Sequence, residues 1–172
     1  MSIKKYTTLS FPCDHVALVC LDRPHKLNAV NWDMLAEIDS VVSSLPFKRK
    51  DVRCVILASS SAHFTSGIDL ATAGDIVTGD DEGDGDDRDV ARKSLAVSSQ
   101  VRTLQHHVGC FERCPVPVIA AISGLCLGLG VDIASACDIR LASRDAAFAI
   151  KEVDVGICAD LGTMQRFHRI VG

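Results

Sequence analysis

Apolar residues along this chain follow two rhythms. HVALVCL (15–21), RCVILAS (53–59) and VPVIAAISG (116–124) are short, nearly continuous apolar runs closed by turn residues. That is the pattern of buried strands. From Asn31 to about Leu45 the apolar residues instead fall three or four apart, at Trp32, Leu35, Ile38, Val42 and Leu45. This predicts a helix with one buried face and Asn31 as its N-cap. Val90 to Arg113 carries the same amphipathic pattern, and Cys114-Pro115 ends it because proline cannot continue a helix. GLCLGLGVDIASACD (124–138) reads as a glycine-rich turn entering a helix of small residues. DIRLAS and AAFAI read as two short strands around a turn at Arg144-Asp145. KEVDVGICAD (151–160) is a connection, and LGTMQRFHRIVG (161–172) begins another helix. Strands therefore alternate with helices, which predicts an α/β domain. Its glycine-bearing loops lie after strands and before helices, where α/β folds bind ligands.

Composition narrows this picture. The 172 residues fit a single domain, 1–172, and 48% of them are hydrophobic, enough to build a sizeable core. The net charge of -4 leaves no basic footprint for nucleic acid. No apolar run is long enough to span a membrane, and MSIKKYTTLSF lacks the apolar segment of a secretory signal. The eight cysteines form no CxxC pair and sit mostly inside apolar runs, so a reduced, intracellular protein without disulfides is expected. No metal site is expected. Cys110, Cys114, His106 and His107 are better explained by core packing and a solvated face. GDDEGDGDDRD (79–89) is acidic, glycine-rich and free of apolar residues. It reads as a surface loop without the spacing of a calcium-binding loop.

Two loops have chemical potential. In GLGVD (128–132) glycines precede a helix start, whose unpaired N–H groups suit a developing negative charge. FTSGID (64–69) is a second such loop, after RCVILAS. Two N–H donors converging from separate loops make an oxyanion hole. KEVDVGICAD adds three carboxylates, Glu152, Asp154 and Asp160, among apolar residues. Each feature also has a plain structural reading. The glycines would allow close packing, and Asp69 and Asp132 would sit in first helical turns. Asp160 would be an N-cap, and Asp154 would be exposed beside Lys151. There is no GxGxxG fingerprint, no GxSxG elbow and no Cys/His nucleophile pattern, so covalent acyl chemistry is not suggested.

The residues PVPVIAAISGLCLGLGVDIASACDIRLAS and FAIKEVDVGICADLGTMQR resemble the crotonase (enoyl-CoA hydratase/isomerase) superfamily, with LDRPHKLNAVN and HFTSGIDL as further motifs in the expected order. The resemblance runs from about Val16 to Gly172 and is greatest to the Δ3,5-Δ2,4-dienoyl-CoA isomerase branch, through KEVDVGICADLGTMQR and GDDRDVAR. It implies a spiral of ββα units with surrounding helices, and C-terminal trimerisation helices that would lie beyond Gly172. It also implies an acyl-CoA thioester as substrate, no cofactor and no metal, a homotrimer or dimer of trimers, and a peroxisomal, glycosomal or mitochondrial setting. Carried over residue by residue, the oxyanion N–H groups fall on Ser66 and on Leu129, where the family has glycine. Asp132 and Glu152 stand where hydratases carry two glutamates, and Asp160 is the acid typical of the dienoyl isomerase. Glu152 is placed near C2 of the substrate and Asp160 near C6, with Asp132 orienting or tuning its neighbours. Lys26, Leu27 and Asn28 are placed in the coenzyme A site, with Ser66, Gly67, Ile68, Asp69 and Gly128 also against the substrate. The alternatives are a 2-enoyl-CoA hydratase, a Δ3-Δ2-enoyl-CoA isomerase, or a non-catalytic crotonase-fold chain acting in assembly or acyl-CoA binding.

Overall fold

A computed structural model describes residues 5–72 and 89–172. The acidic stretch 79–88 lies outside the described residues. Asp89 lies inside them and caps the helix that follows, accepting the Arg92 N–H at 3.0 Å.

The main sheet has five strands in the order β1-β2-β3-β4-β6. β1 (Thr7–Cys13) and β2 (Val16–Leu21) are antiparallel. β3 (Cys54–Ser59), β4 (Val118–Ile122) and β6 (Ile139–Ala142) continue the sheet in parallel. The apolar runs become strands, and their two faces are buried to different degrees. One face is fully buried, through Ala17, Val19, Leu21, Val55, Leu57 and Ala120, while Leu18, Ile56 and Ile119 on the other are only half-buried. A second, two-stranded parallel sheet pairs β5 (Leu125–Leu127) with β7 (Ala147–Ala149). β1 and β5 were not legible in the sequence. β1 is held by Glu37, which accepts the N–H groups of Lys5, Tyr6 and Thr7, a long-range contact no local pattern announces.

Helix α1 (Trp32–Lys48) buries Met34, Leu35, Ile38, Val42 and Leu45 against the sheet. Asn31 is its N-cap, accepting the Met34 N–H at 2.9 Å. The helix expected over 90–113 is two helices, α2 (Val90–Val108) and α3 (Cys110–Arg113), separated at Gly109. Helix α4 (Leu129–Ala136) is buried along all eight residues, which explains its small side chains. Helix α5 (Thr163–Val171) packs against it. The described cysteines are free thiols. Burial pushes Cys126 and Cys137 up to about 12, leaving them inert core residues.

Candidate active site

The two glycine loops are stitched together by backbone hydrogen bonds. Thr65 N–H donates to Leu125 O at 2.9 Å, and Leu127 N–H donates to Thr65 O at 3.1 Å. Gly67 has φ +98°, and a Cβ there would lie 2.8 Å from Leu127 O, so only glycine lets the loops approach this closely. Gly128 turns the chain from β5 into α4 with φ +49°, and its N–H donates to Ala149 O of β7 at 2.8 Å. The small second sheet thus fixes where α4 begins. The loop at 23–28 joins from the other side, through an ion pair of 2.6 Å between Arg23 and Asp69. Arg23 holds the Asp69 carboxyl below the usual carboxylate range.

These elements enclose a cavity of about 650 Å³, within the range of small-molecule sites. Ser66, Gly67, Ile68 and Asp69 line one side, with Gly128, Leu129 and Asp132 beside them. Glu152 and Asp160 also line it, and Val97, Val101 and Leu104 of α2 supply an apolar wall.

The N–H groups facing this space differ from the expected pair. Ser66 N–H donates to Leu27 O at 3.0 Å, so its proton is consumed within the loop. Gly67 N–H is taken by Thr65 Oγ1, also at 3.0 Å. Among the described residues, Ile68 N–H has no acceptor. Leu129 is the first residue of α4, where a helix leaves its N–H unpaired. The donors available to an oxyanion are therefore those of Ile68 and Leu129, and Ser66 is corrected. The side chain at Leu129 costs no backbone strain, because the positive φ falls one residue earlier, at Gly128.

Lys26, Leu27 and Asn28 do not line the cavity. Lys26 and Leu27 are exposed, and Leu27 has a positive φ. Asn28 is fully buried and works as a structural hub. Its Oδ1 accepts the Arg23 N–H at 2.7 Å, and its Nδ2 donates to Ser59 Oγ at 2.7 Å and to His63 O at 3.1 Å. Its direct placement against substrate is corrected on that ground.

The acids divide cleanly. Asp154 pairs with Lys151 at 2.6 Å and is exposed. Asp160 is half-buried at the cavity wall, its backbone carbonyl held by Gln105 Nε2 at 2.9 Å. It is not a helix cap: α5 starts at Thr163, with Gly162 at the cap position and no side-chain cap bond. Asp132 is 1% exposed, and its Oδ1 accepts the Thr163 N–H at 2.5 Å. It therefore sits in the first turn of α4 and also satisfies the start of α5, two favourable places for negative charge. Glu152 is 7% exposed and starts a 3-10 turn, Glu152–Val155. A Cβ at Gly128 would meet its Oε1 at 3.3 Å, so Glu152 borders the turn that presents the Leu129 N–H.

Read as two carboxylates, Asp132 Oδ2 and Glu152 Oε2 are buried without a partner. Each acid nonetheless acts on the other's ionisation. Burial pushes both acids above the ordinary carboxylate range. On Asp132 this is opposed by the Thr163 hydrogen bonds, by Glu152 and by the charge of Arg166, while the charge of Asp132 raises Glu152 further.

Comparison with known proteins identifies the family. The family description "Enoyl-CoA hydratase/isomerase" matches residues 13–172. The chain is 41% identical to the peroxisomal Delta(3,5)-Delta(2,4)-dienoyl-CoA isomerase of Arabidopsis thaliana over 176 residues, covering 100% of this chain and 62% of that protein. It is 44% identical to the mitochondrial Delta(3,5)-Delta(2,4)-dienoyl-CoA isomerase of Rattus norvegicus over 162 residues, covering 92% of this chain and 46% of that protein. The chain thus spans about half to three-fifths of these relatives. Among solved structures, a putative enoyl-CoA hydratase from Thermobifida fusca YX in complex with acetoacetyl-CoA superimposes with a TM-score of 0.77 at 30% identity, over 97% of this chain and 62% of that one.

Proposed function

The chain belongs to the enoyl-CoA hydratase/isomerase family, and on that premise we propose that it isomerises a 3,5-dienoyl-CoA to the 2,4-dienoyl-CoA. The observation that carries this reading is the meeting of Glu152 and Asp160 in one largely apolar cavity, beside the unpaired N–H groups of Ile68 and Leu129. The thioester oxygen accepts from those two N–H groups. Glu152, next to the Gly128 turn, removes a proton from C2. The resulting negative charge spreads over the thioester and the diene, and the two N–H donors stabilise its oxygen end. Asp160 delivers a proton to C6, and the double bonds come to rest at C2 and C4. Two acids at opposite ends of an extended dienolate suffice, and no water is added.

Coenzyme A extends past the exposed Lys26 and Leu27, whose loop is bonded to Ser66 at the edge of the cavity. The names of the relatives from Arabidopsis thaliana and Rattus norvegicus support a peroxisomal or mitochondrial setting. The full-length protein is proposed to act as a trimer or a dimer of trimers.

The test follows ultraviolet absorbance as the diene becomes conjugated with the thioester, with a 2-enoyl-CoA in parallel. Isomerisation without comparable hydration supports the proposal. Hydration of the 2-enoyl-CoA without isomerisation assigns the chain to the hydratases instead.

A further inference from the structure

Arg166 of α5 approaches Asp132 across Gly162, and the proposed reaction gives it no part. Its Nε and Nη2 form a two-pronged pair with Glu112 of α3, each at 2.6 Å. Its remaining nitrogen, Nη1, is buried without a hydrogen-bond partner. Nη1 and the Asp132 carboxylate both rest against Gly162: a Cβ at that glycine would clash with Nη1 and lie 3.4 Å from Asp132 Oδ1. A guanidinium clamped on one side by a carboxylate, with its free edge buried near a second carboxylate, can act as a fixed counter-charge. Its planar fork sets the distance, and Glu112 sets how much of its charge is already neutralised.

We propose that Arg166 is a positioning residue for proton transfer: gripped by Glu112, it supplies the buried counter-charge that keeps Asp132 ionised and thereby decides when Glu152 releases its proton. Arg166 touches neither substrate nor the reacting atoms and acts through Asp132. The consequence for the reaction rests on the isomerase reading above, in which Glu152 is the base at C2. The consequence for the carboxyl pair does not.

The other charged groups around the pair are accounted for. The starts of α4 and α5 face Asp132, the latter through the Thr163 N–H. Lys151 lines the cavity but is paired with Asp154. Arg113 lies near Glu112 on α3. Asp160 faces the same cavity. Among the described residues, Arg166 borders Asp132 across Gly162 without forming a direct ion pair with it.

The two partners of the clamp predict opposite shifts. Arg166→Gln removes positive charge beside Asp132, so the pair binds its proton more tightly. Glu112→Gln leaves Arg166 un-neutralised, so the pair binds its proton less tightly. The experiment titrates the 13C carboxyl signals of Glu-labelled full chain, with the Glu152 signal identified by its loss in Glu152→Gln. The midpoint for Glu152 is expected to rise by about one pH unit or more in Arg166→Gln and to fall in Glu112→Gln. The rising limb of the rate-against-pH profile moves in the same two directions. Loosening of the helix contact would move both variants the same way. Shifts of one sign in both, or no shift in either, overturn the proposal and leave Arg166 a clamp between helices. If Arg166→Gln does not fold, Glu112→Gln decides alone: a lower midpoint supports the proposal, and an unchanged or higher one overturns it. Because the titration needs no turnover, opposite shifts without isomerisation would reject the proposed reaction while leaving the counter-charge intact.

Discussion

Glu152 concentrates the tension between stability and chemistry in a single side chain. It is 7% exposed, and its proton is bound more tightly folded than unfolded. An acid of this kind contributes stability that is complete below the ordinary carboxylate range, about pH 4, and is lost as pH rises toward its folded value. Glu152→Gln removes that loss. The variant is expected to melt a few degrees above wild type at neutral pH, with the gap narrowing as pH falls to 4, while isomerisation disappears. Thermal melts at several pH values check it, and a variant that melts lower at neutral pH contradicts it. The residue scale is also where sequence reasoning was weakest. The acids were legible because ionisable groups inside apolar runs demand a reason. Choosing the oxyanion donor was not, because it depends on which N–H the loop consumes. Ser66 donates its N–H to Leu27 O, a contact across 39 residues, which leaves Ile68 as the free donor of this loop.

At the element scale, the site is a product of two loops forced together. Buried strands and glycine turns were readable from composition and spacing, as were α1 with its Asn31 cap and the start of α4. β7 was readable as a short strand in AAFAI, but its partner was not: β5 has three residues and no period long enough to detect, yet the pair fixes the Gly128 turn. Likewise, the amphipathic run 90–113 continues through Gly109, where the chain divides into α2 and α3. Gly67→Ala tests how much the loop contact matters. Its Cβ would lie 2.8 Å from Leu127 O, at a φ that side chains rarely adopt. The expected cost is about 1–3 kcal/mol of stability, with turnover falling more than substrate binding because the Ile68 and Leu129 donors separate. Chemical denaturation and a kcat against KM comparison measure both, and unchanged values would mean that the loops are not held by this contact.

For the whole molecule, apolar exposure is uneven. Leu141, Phe148, Val153, Met164 and Val171 are exposed, all in the last third of the chain, and all four residues of the edge strand β6 face solvent. Exposed apolar surface of this extent favours association. The 172-residue chain is expected to self-associate as concentration rises in sedimentation velocity, and a single monomeric species at every concentration would contradict this. The central claim is that Glu152 and Asp160 serve opposite ends of one substrate. The most direct measurement incubates the 3,5-dienoyl-CoA in heavy water with wild type, Asp160→Asn and Glu152→Gln, and locates deuterium by mass spectrometry and NMR. Wild type is predicted to form product labelled at C6. Asp160→Asn is predicted to form almost none while still exchanging the C2 hydrogens, and Glu152→Gln to do neither. Normal product from Asp160→Asn, or C2 exchange that survives in Glu152→Gln, would contradict the account.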